Sequence, residues 1–134
     1  MVLSFSGTRP NNLGLQGDKL TDCPGSPNCV NSQAPQSDGE HHIEPIACGD
    51  VDTAMARLKS VVGSMARTTI VTESENYLYA EFKSALMGFV DDVEFYLDKA
   101  AGVIHVRSAS RLGKSDLGTN RKRVEDIRAR FAAS

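Results

Sequence analysis

The stretch 89–110 constrains the fold more than any other part of the chain. Apolar and polar residues alternate on both sides of a Lys-Ala-Ala-Gly linker at 99–102, which has the length of a hairpin loop. A register that pairs Asp98 with Val103 matches side chains on both faces. It pairs Leu97 with Ile104, Phe95 with Val106, Tyr96 with His105, and Glu94 with Arg107. Since apolar residues then meet apolar ones and an acid meets a base, the sequence predicts an antiparallel hairpin in this register.

Two further strands and two helices are predicted around this hairpin. Strand patterns cover 67–74 and 77–84, and apolar residues recur at helical spacing in 51–65 and 124–131. Strands that follow one another without an intervening helix form an antiparallel meander. We therefore predict an α+β core over 50–134, with an antiparallel four-stranded sheet and two helices on its apolar face.

Residues 1–49 differ from this core and are called the arm. The arm is rich in Gly, Pro, Asn, Ser and Gln and shows neither helical nor strand periodicity. A loop of this length is rare in a compact domain unless it is functional or disordered. Apolar residues recur along it at Leu13, Leu15, Leu20, Val30, Ile43 and Ile46. We therefore expect a long irregular arm that wraps the core within a single domain.

Composition narrows the class of partner. The 134 residues suffice for one soluble domain, and the net charge is −2, although residues 105–134 hold eight basic and three acidic side chains. The net negative charge of the whole chain argues against nucleic acid as a partner. No apolar run approaches the ~20 residues of a transmembrane segment, and the first residues lack a signal-peptide pattern. The expected location is the cytoplasm for the chain as it stands, or the periplasm or a lumen if a leader was removed.

Eight side chains leave the apolar face by alternation and form what we call the polar face: Tyr79, Glu81, Lys83, Asp92, Glu94, Tyr96, His105 and Arg107. In one interpretation this is a solvated surface, where Glu94 and Arg107 make an ion pair worth under about 1 kcal/mol. In another it binds a small polar or anionic ligand, or a protein partner, with Arg107 and Lys83 contacting anionic groups. Cover by the arm would favour a binding site or an internal polar network, because buried charges must be paired.

A small enzyme is the competing class of function, with its catalytic residues unassigned. In that case His105 would act as general acid or base beside Glu94 or Asp92, or Cys29 would act as a nucleophile. The sequence contains no P-loop, GxGxxG, GxSxG or HExxH motif. The nucleotide-binding, hydrolase and metalloprotease classes that those motifs mark are therefore excluded.

The cysteines offer a disulfide more readily than a metal site. Cys23 and Cys29 flank a turn rich in Pro and Gly, which could bring them together. With Cys48 their number is odd, so at least one is unpaired within the chain. A zinc site that adds His41 or His42 to them has no regular ligand spacing. We therefore predict a disulfide as one state of Cys23 and Cys29, and neither a metal nor another cofactor.

Asp91 interrupts the strand pattern, because alternation from Val93 points it toward the core. A β-bulge at 91–92 would turn the carboxylate outward. Otherwise Asp91 is a buried acid that pairs with Arg111 or Arg121. Both alternatives stay open at this point.

Six segments stand in a recognisable order: Phe5-Ser6-Gly7-Thr8-Arg9-Pro10, Cys23-Pro24-Gly25-Ser26-Pro27-Asn28-Cys29-Val30, Tyr79-Ala80-Glu81-Phe82, Phe89-Val90-Asp91-Asp92-Val93-Glu94-Phe95, His105-Val106-Arg107-Ser108-Ala109-Ser110-Arg111 and Asp116-Leu117-Gly118-Thr119-Asn120-Arg121-Lys122-Arg123-Val124. Together they resemble the uncharacterised family catalogued as domain of unknown function 1499. The resemblance implies a bacterial or plastid protein, since members occur there, some with an export or lipoprotein leader. It implies no activity, cofactor or catalytic residue.

Overall fold

The computed structural model describes residues 7–85, 88–113 and 116–134. Residues 1–6 of the arm, including Phe5 and Ser6 of the first quoted segment, lie outside them. The elements are β1 (Cys29–Asn31), β2 (Ile46–Ala47), α1 (Ala54–Gly63), β3 (Thr68–Glu73), β4 (Tyr77–Lys83), β5 (Val90–Asp98), β6 (Val103–Ser110) and α2 (Thr119–Ala132). The α+β class, with two helices and an antiparallel sheet, is confirmed.

Among the described residues the sheet has six strands, so the predicted count of four is wrong. Its order is β1-β6-β5-β4-β3, and β2 pairs with β6 beside β1. Every pair of these strands is antiparallel. Both additional strands come from the arm and have only three and two residues. Strands this short show no alternation that a sequence pattern could detect.

The central hairpin has the predicted register. Asp98 pairs with Val103, and the match continues through Glu94 and Arg107. On the other side of β5, Asp92 pairs with Glu81 of β4. Side chains of the polar face therefore form rows across β4, β5 and β6.

Asp91 is a buried acid, and the alternative of a bulge at 91–92 is wrong. Pairing in β5 runs without interruption from Asp91 to Asp98, whereas the register shift of the sheet lies in β3, between Ile70 and Thr72. The Asp91 carboxylate lies 2.7 Å from Nη1 of Arg123 on α2. The predicted partners are also wrong, because Arg111 binds acids of the polar face and Arg121 donates to carbonyls of the arm.

The apolar core lies between the sheet and the two helices. Buried side chains come from both helices, from β4, β5 and β6, and from the arm, including Leu58, Val62, Leu78, Phe95, Val106, Ile127, Phe131, Val30 and Ile43. Arg57 joins the helices, since it donates to the Cys48 and Phe131 carbonyls. Neither helix among the described residues combines the length and apolarity that crossing a membrane requires.

The arm forms a third layer on the opposite face of the sheet. Arg9 contacts Glu81 at 2.8 Å, the Gly14 amide contacts Glu94 at 2.7 Å, and the Asp22 carbonyl lies 3.5 Å from Arg107 Nη2. Later in the arm, Arg128 of α2 donates to the Pro45 carbonyl at 2.7 Å. The polar face thus lies between the sheet and the first part of the arm.

Candidate functional site

The centre of the polar face is buried. Glu94 is 0% exposed, and Asp92, Tyr79 and Arg107 are 2%, 2% and 4% exposed. The solvated-surface interpretation is therefore wrong for these four residues, because the arm covers them. Lys83 is exposed, and Glu81, Tyr96 and His105 are half-buried.

Glu94 and Arg107 form a buried pair rather than a surface ion pair. Glu94 Oε2 accepts hydrogen bonds from the Gly14 amide at 2.7 Å and from the Tyr77 hydroxyl at 2.5 Å. Its other oxygen, Oε1, lies 4.0 Å from Arg107 Nη1. Within the described ranges, Glu94 Oε1 and Arg107 Nε have no hydrogen-bond partner. Burial lowers the pKa of Arg107 and raises that of Tyr77, and the Glu94 carboxylate raises both.

A second cluster is built around Arg111. Arg111 Nε and Nη2 each lie 2.9 Å from an oxygen of Asp92, which is bidentate geometry. The Tyr79 hydroxyl also donates to Asp92, at 2.5 Å. Glu81 accepts from Arg9 and Arg111, and these hydrogen bonds, with Arg9 contributing most, lower the pKa of Glu81. Hydrogen bonds to Asp92 above all raise the pKa of Arg111, and the bidentate contact fixes the position of its guanidinium.

A cleft of about 590 Å³ opens beside this cluster. Its polar lining includes Arg9, Arg67, Thr69, Glu81, Lys83 and Arg111. Arg67 donates to the Lys83 carbonyl at 3.2 Å, and no described carboxylate forms an ion pair with Arg67 or Lys83. Arg67 also has a φ of 53°, a conformation costly for a residue with a side chain. The cleft therefore presents four cations against one carboxylate.

His105 lies at the other end of the polar face. Its Nδ1 forms a hydrogen bond of 3.1 Å with the Ser32 hydroxyl, its Nε2 lies 3.9 Å from Asp98, and its ring stacks on Tyr96. The predicted pairing of His105 with Glu94 or Asp92 is wrong, because register places it beside Tyr96 and Asp98. Burial lowers the pKa of His105. The Ser32 hydroxyl is buried and also accepts the Val106 amide at 2.8 Å, which makes it a structural link.

A family model described as "Protein of unknown function (DUF1499)" matches residues 19–131. The chain belongs to the DUF1499 family. No curated protein matches it. In this DUF1499 chain the matched range contains the strand residues of both buried clusters and all of the cleft except Arg9, whereas the Gly14 amide that contacts Glu94 lies outside it.

The cysteines of the DUF1499 chain do not form a reactive or metal-binding centre. Cys23 and Cys29 are joined in a disulfide with their Cα atoms 5.7 Å apart. The disulfide links the part of the arm before residue 24 to the first residue of β1. Cys29 is thus not a free nucleophile in this state. Cys48 is buried separately, and its thiol donates to the Gly49 carbonyl at 3.7 Å. The thiols needed for the zinc arrangement are therefore not available together.

Asp38, Glu40 and His41 bring three potential metal ligands within 4.8 Å of one another. The ring of His41 is already used, since Nε2 lies 2.8 Å from the Ser26 carbonyl and Nδ1 lies 2.8 Å from Asp38. Two acceptors require two N–H groups, so the imidazolium form fits this position and a metal ligand does not. His42 has the same arrangement, with the Ala34 carbonyl at 2.8 Å and Glu44 at 3.1 Å.

Stability is expected to fall as the pH rises above the ordinary histidine pKa of about 6.5. The Ser26 carbonyl and Asp38 raise the pKa of His41, and the Ala34 carbonyl and Glu44 raise that of His42, although Arg121 opposes the latter. The contribution of His41 and His42 to the free energy of unfolding is complete below about pH 6.5, the pKa of histidine in the unfolded chain. It is lost as the pH rises through the higher pKa values that the two side chains have in the folded chain. Urea unfolding of His41→Gln across this range should show a shallower fall. The slope of His105→Gln should not become shallower, since its lowered pKa acts in the opposite direction; equal slopes for His41→Gln and the unmodified chain would contradict the expectation.

Three cationic residues of the cleft, Arg9, Arg67 and Arg111, were not among the candidate binding residues proposed from the sequence. Arg111 continues the alternation of Arg107 and Ala109, so its place on the polar face could have been found. Arg9 and Arg67 carry no such signal, because the arm and the loop before β3 bring them to the cleft. Their positions depend on tertiary structure alone.

Proposed function

We propose that this chain binds a small anionic ligand, of the phosphate or carboxylate class, in the basic cleft. The observation that supports this most directly is the excess of cations, since Arg67 and Lys83 have no carboxylate partner among the described residues. An uncompensated positive cleft on a chain of net charge −2 attracts and concentrates anions.

The Arg111 cluster beside the cleft supports this proposal because it fixes two of the cleft's guanidinium groups in advance. Asp92 and Tyr79 hold Arg111, and Glu81 holds Arg9. Fixed guanidinium groups lose little conformational freedom when an anion binds nearby, and they add positive charge to the cleft. In this proposal Lys83 and Arg67 contact the ligand, whereas Asp92 and Tyr79 position Arg111.

The proposed roles of the other polar-face residues are different. Glu94 and Arg107 hold the arm against the sheet, and Glu81 orients Arg9 and Arg111. Tyr96 pairs with Tyr77 on β4 and with His105 on β6, so these residues lie side by side across the sheet. They are at the opposite end of the strands from Lys83. The proposed site is therefore narrower than the full polar face.

Calorimetric titration with inorganic phosphate and pyrophosphate at low ionic strength tests this function. Lys83→Met and Arg67→Met are each expected to weaken binding about tenfold, because each removes one charge-assisted contact. Lys99→Met is the matched control, since it removes the same charge from the loop at the other end of β5, where Lys99 contacts Glu75. Equal weakening by Lys99→Met, or no binding by the unmodified chain, would overturn the proposal.

A further inference from the structure

Exposed apolar side chains gather at the end of the sheet that holds the cleft. Among the described residues, four large apolar side chains are more than a third exposed, and three of them, Phe89, Leu112 and Leu117, line one groove of about 290 Å³. They come from the start of β5, the end of β6 and the approach to α2. Apolar surface that gathers in one place on a folded chain marks an interaction site more often than scattered residues do.

Leu117 is the least expected of the three. It is 89% exposed and has a φ of 54°, in the left-handed region. Gly or Asn would adopt this conformation with less strain, and an exposed Leu adds nothing to the core. A residue that is both strained and exposed points to a role outside folding.

The groove adjoins the basic cleft. Val90 lines both, and Arg111 of the cleft is followed directly by Leu112 of the groove. Of the two acids that line the groove, Asp91 pairs with Arg123, whereas Asp116 keeps its charge and accepts the Gly118 and Asn120 amides. On the side of the cleft, the apolar side chains are bordered by Arg67 and Lys83, which have no carboxylate partner among the described residues.

We propose that this end of the sheet docks on an anionic lipid surface, an inference that rests on the proposed function because the basic cleft receives the lipid phosphate. Phe89, Leu112 and Leu117 enter the interface between headgroups and acyl chains, while Arg67 and Lys83 contact the phosphates. Apolar anchors beside cationic residues are the combination that binds peripheral proteins to anionic membranes. The positive border favours this occupant over an apolar protein surface, which offers no phosphate for the cleft.

Sedimentation with vesicles tests the inference on the full chain. Vesicles of phosphatidylcholine mixed with phosphatidylglycerol are expected to bind the chain, whereas vesicles of phosphatidylcholine alone are not. Leu117→Asn, which suits the left-handed backbone, should reduce the bound fraction about tenfold and leave the affinity for inorganic phosphate unchanged. Lys83→Met should reduce both the fraction bound to vesicles and the affinity for inorganic phosphate. Val71→Thr removes an exposed apolar side chain on β3 and should bind vesicles as the unmodified chain does.

The outcomes separate this inference from the function on which it rests. Phosphate binding without vesicle binding overturns the lipid surface and leaves the anion cleft in place. Absence of phosphate binding by the unmodified chain overturns the small-ligand proposal and, because the inference places the lipid phosphate in the same cleft, overturns the inference with it. A third outcome is that the unmodified chain binds no vesicles but self-associates in sedimentation velocity, and that Leu117→Asn does not self-associate. A second copy of the chain would then occupy the groove, which overturns the inference.

Discussion

Arg107→Met is expected to lower the free energy of unfolding by about 3–5 kcal/mol. Arg107 is 4% exposed and provides the cation that faces Glu94, which is fully buried. Removing the guanidinium leaves a carboxylate in the interior with hydrogen bonds from Gly14 and Tyr77 but no counter-charge. Urea unfolding followed by circular dichroism measures the loss, which is suitable here because the chain contains no Trp.

Two further variants isolate the charge as the cause. Gly14 and Tyr77 both donate to the same Glu94 oxygen, so the amide oxygen of a glutamine can replace it. The double variant Glu94→Gln with Arg107→Met should therefore be more stable than Arg107→Met alone. Arg9→Met breaks an ion pair whose arginine side chain is 53% exposed, and should cost under about 1 kcal/mol. If Arg107→Met lost no more stability than Arg9→Met, the buried pair would not contribute as described.

Asn120→Ala is expected to cost about 3 kcal/mol, since it leaves several buried polar groups without partners. Asn120 is fully buried at the start of α2. Its amide donates to the Asn28 carbonyl, the Ser110 hydroxyl and the Asp116 carboxylate, and its side-chain oxygen accepts from Ser108 at 2.6 Å. One side chain thus joins the arm, β6 and the cap of α2.

The control for Asn120 is Asn11→Ala, because Asn11 is exposed on the arm. An exposed substitution of this kind changes the free energy of unfolding by less than about 0.5 kcal/mol. Urea unfolding of both variants under the same conditions compares them directly. A loss for Asn120→Ala as small as that for Asn11→Ala would show that the network is dispensable.

The parts of the fold that could be predicted are those in which neighbouring residues determine the outcome. The hairpin of β5 and β6 is such a case, because strict alternation allows one register that matches both faces. β1 and β2 were missed because their pairing depends on β6 as a template and not on a pattern of their own. For Asp91, the buried acid was one of the two predicted alternatives, but its partner was predicted wrongly. The partner, Arg123, reaches Asp91 only when α2 packs on the sheet.

Burial of the polar face could not be predicted because the arm covers it largely with backbone groups. The Gly14 amide binds Glu94, and the Asp22 carbonyl approaches Arg107. Backbone groups are present in every residue type, so their contacts leave no trace in the sequence. The eight polar-face residues were therefore found as a set, whereas their division into a buried network, a cleft lining and a separate His105 region required the structure.

The arm contacts also imply an order of folding. Arg9 and Glu81 are 72 residues apart, and Gly14 and Glu94 are 80 apart, whereas β3 to β6 follow one another along the chain. Closing longer loops costs more entropy and slows the formation of the contacts that depend on them. We therefore expect the strands to assemble while water still hydrates Glu94, Asp92 and Arg107. Arm docking then dehydrates these charges in a late step, and arm release, which restores their hydration, is the first opening of the folded chain.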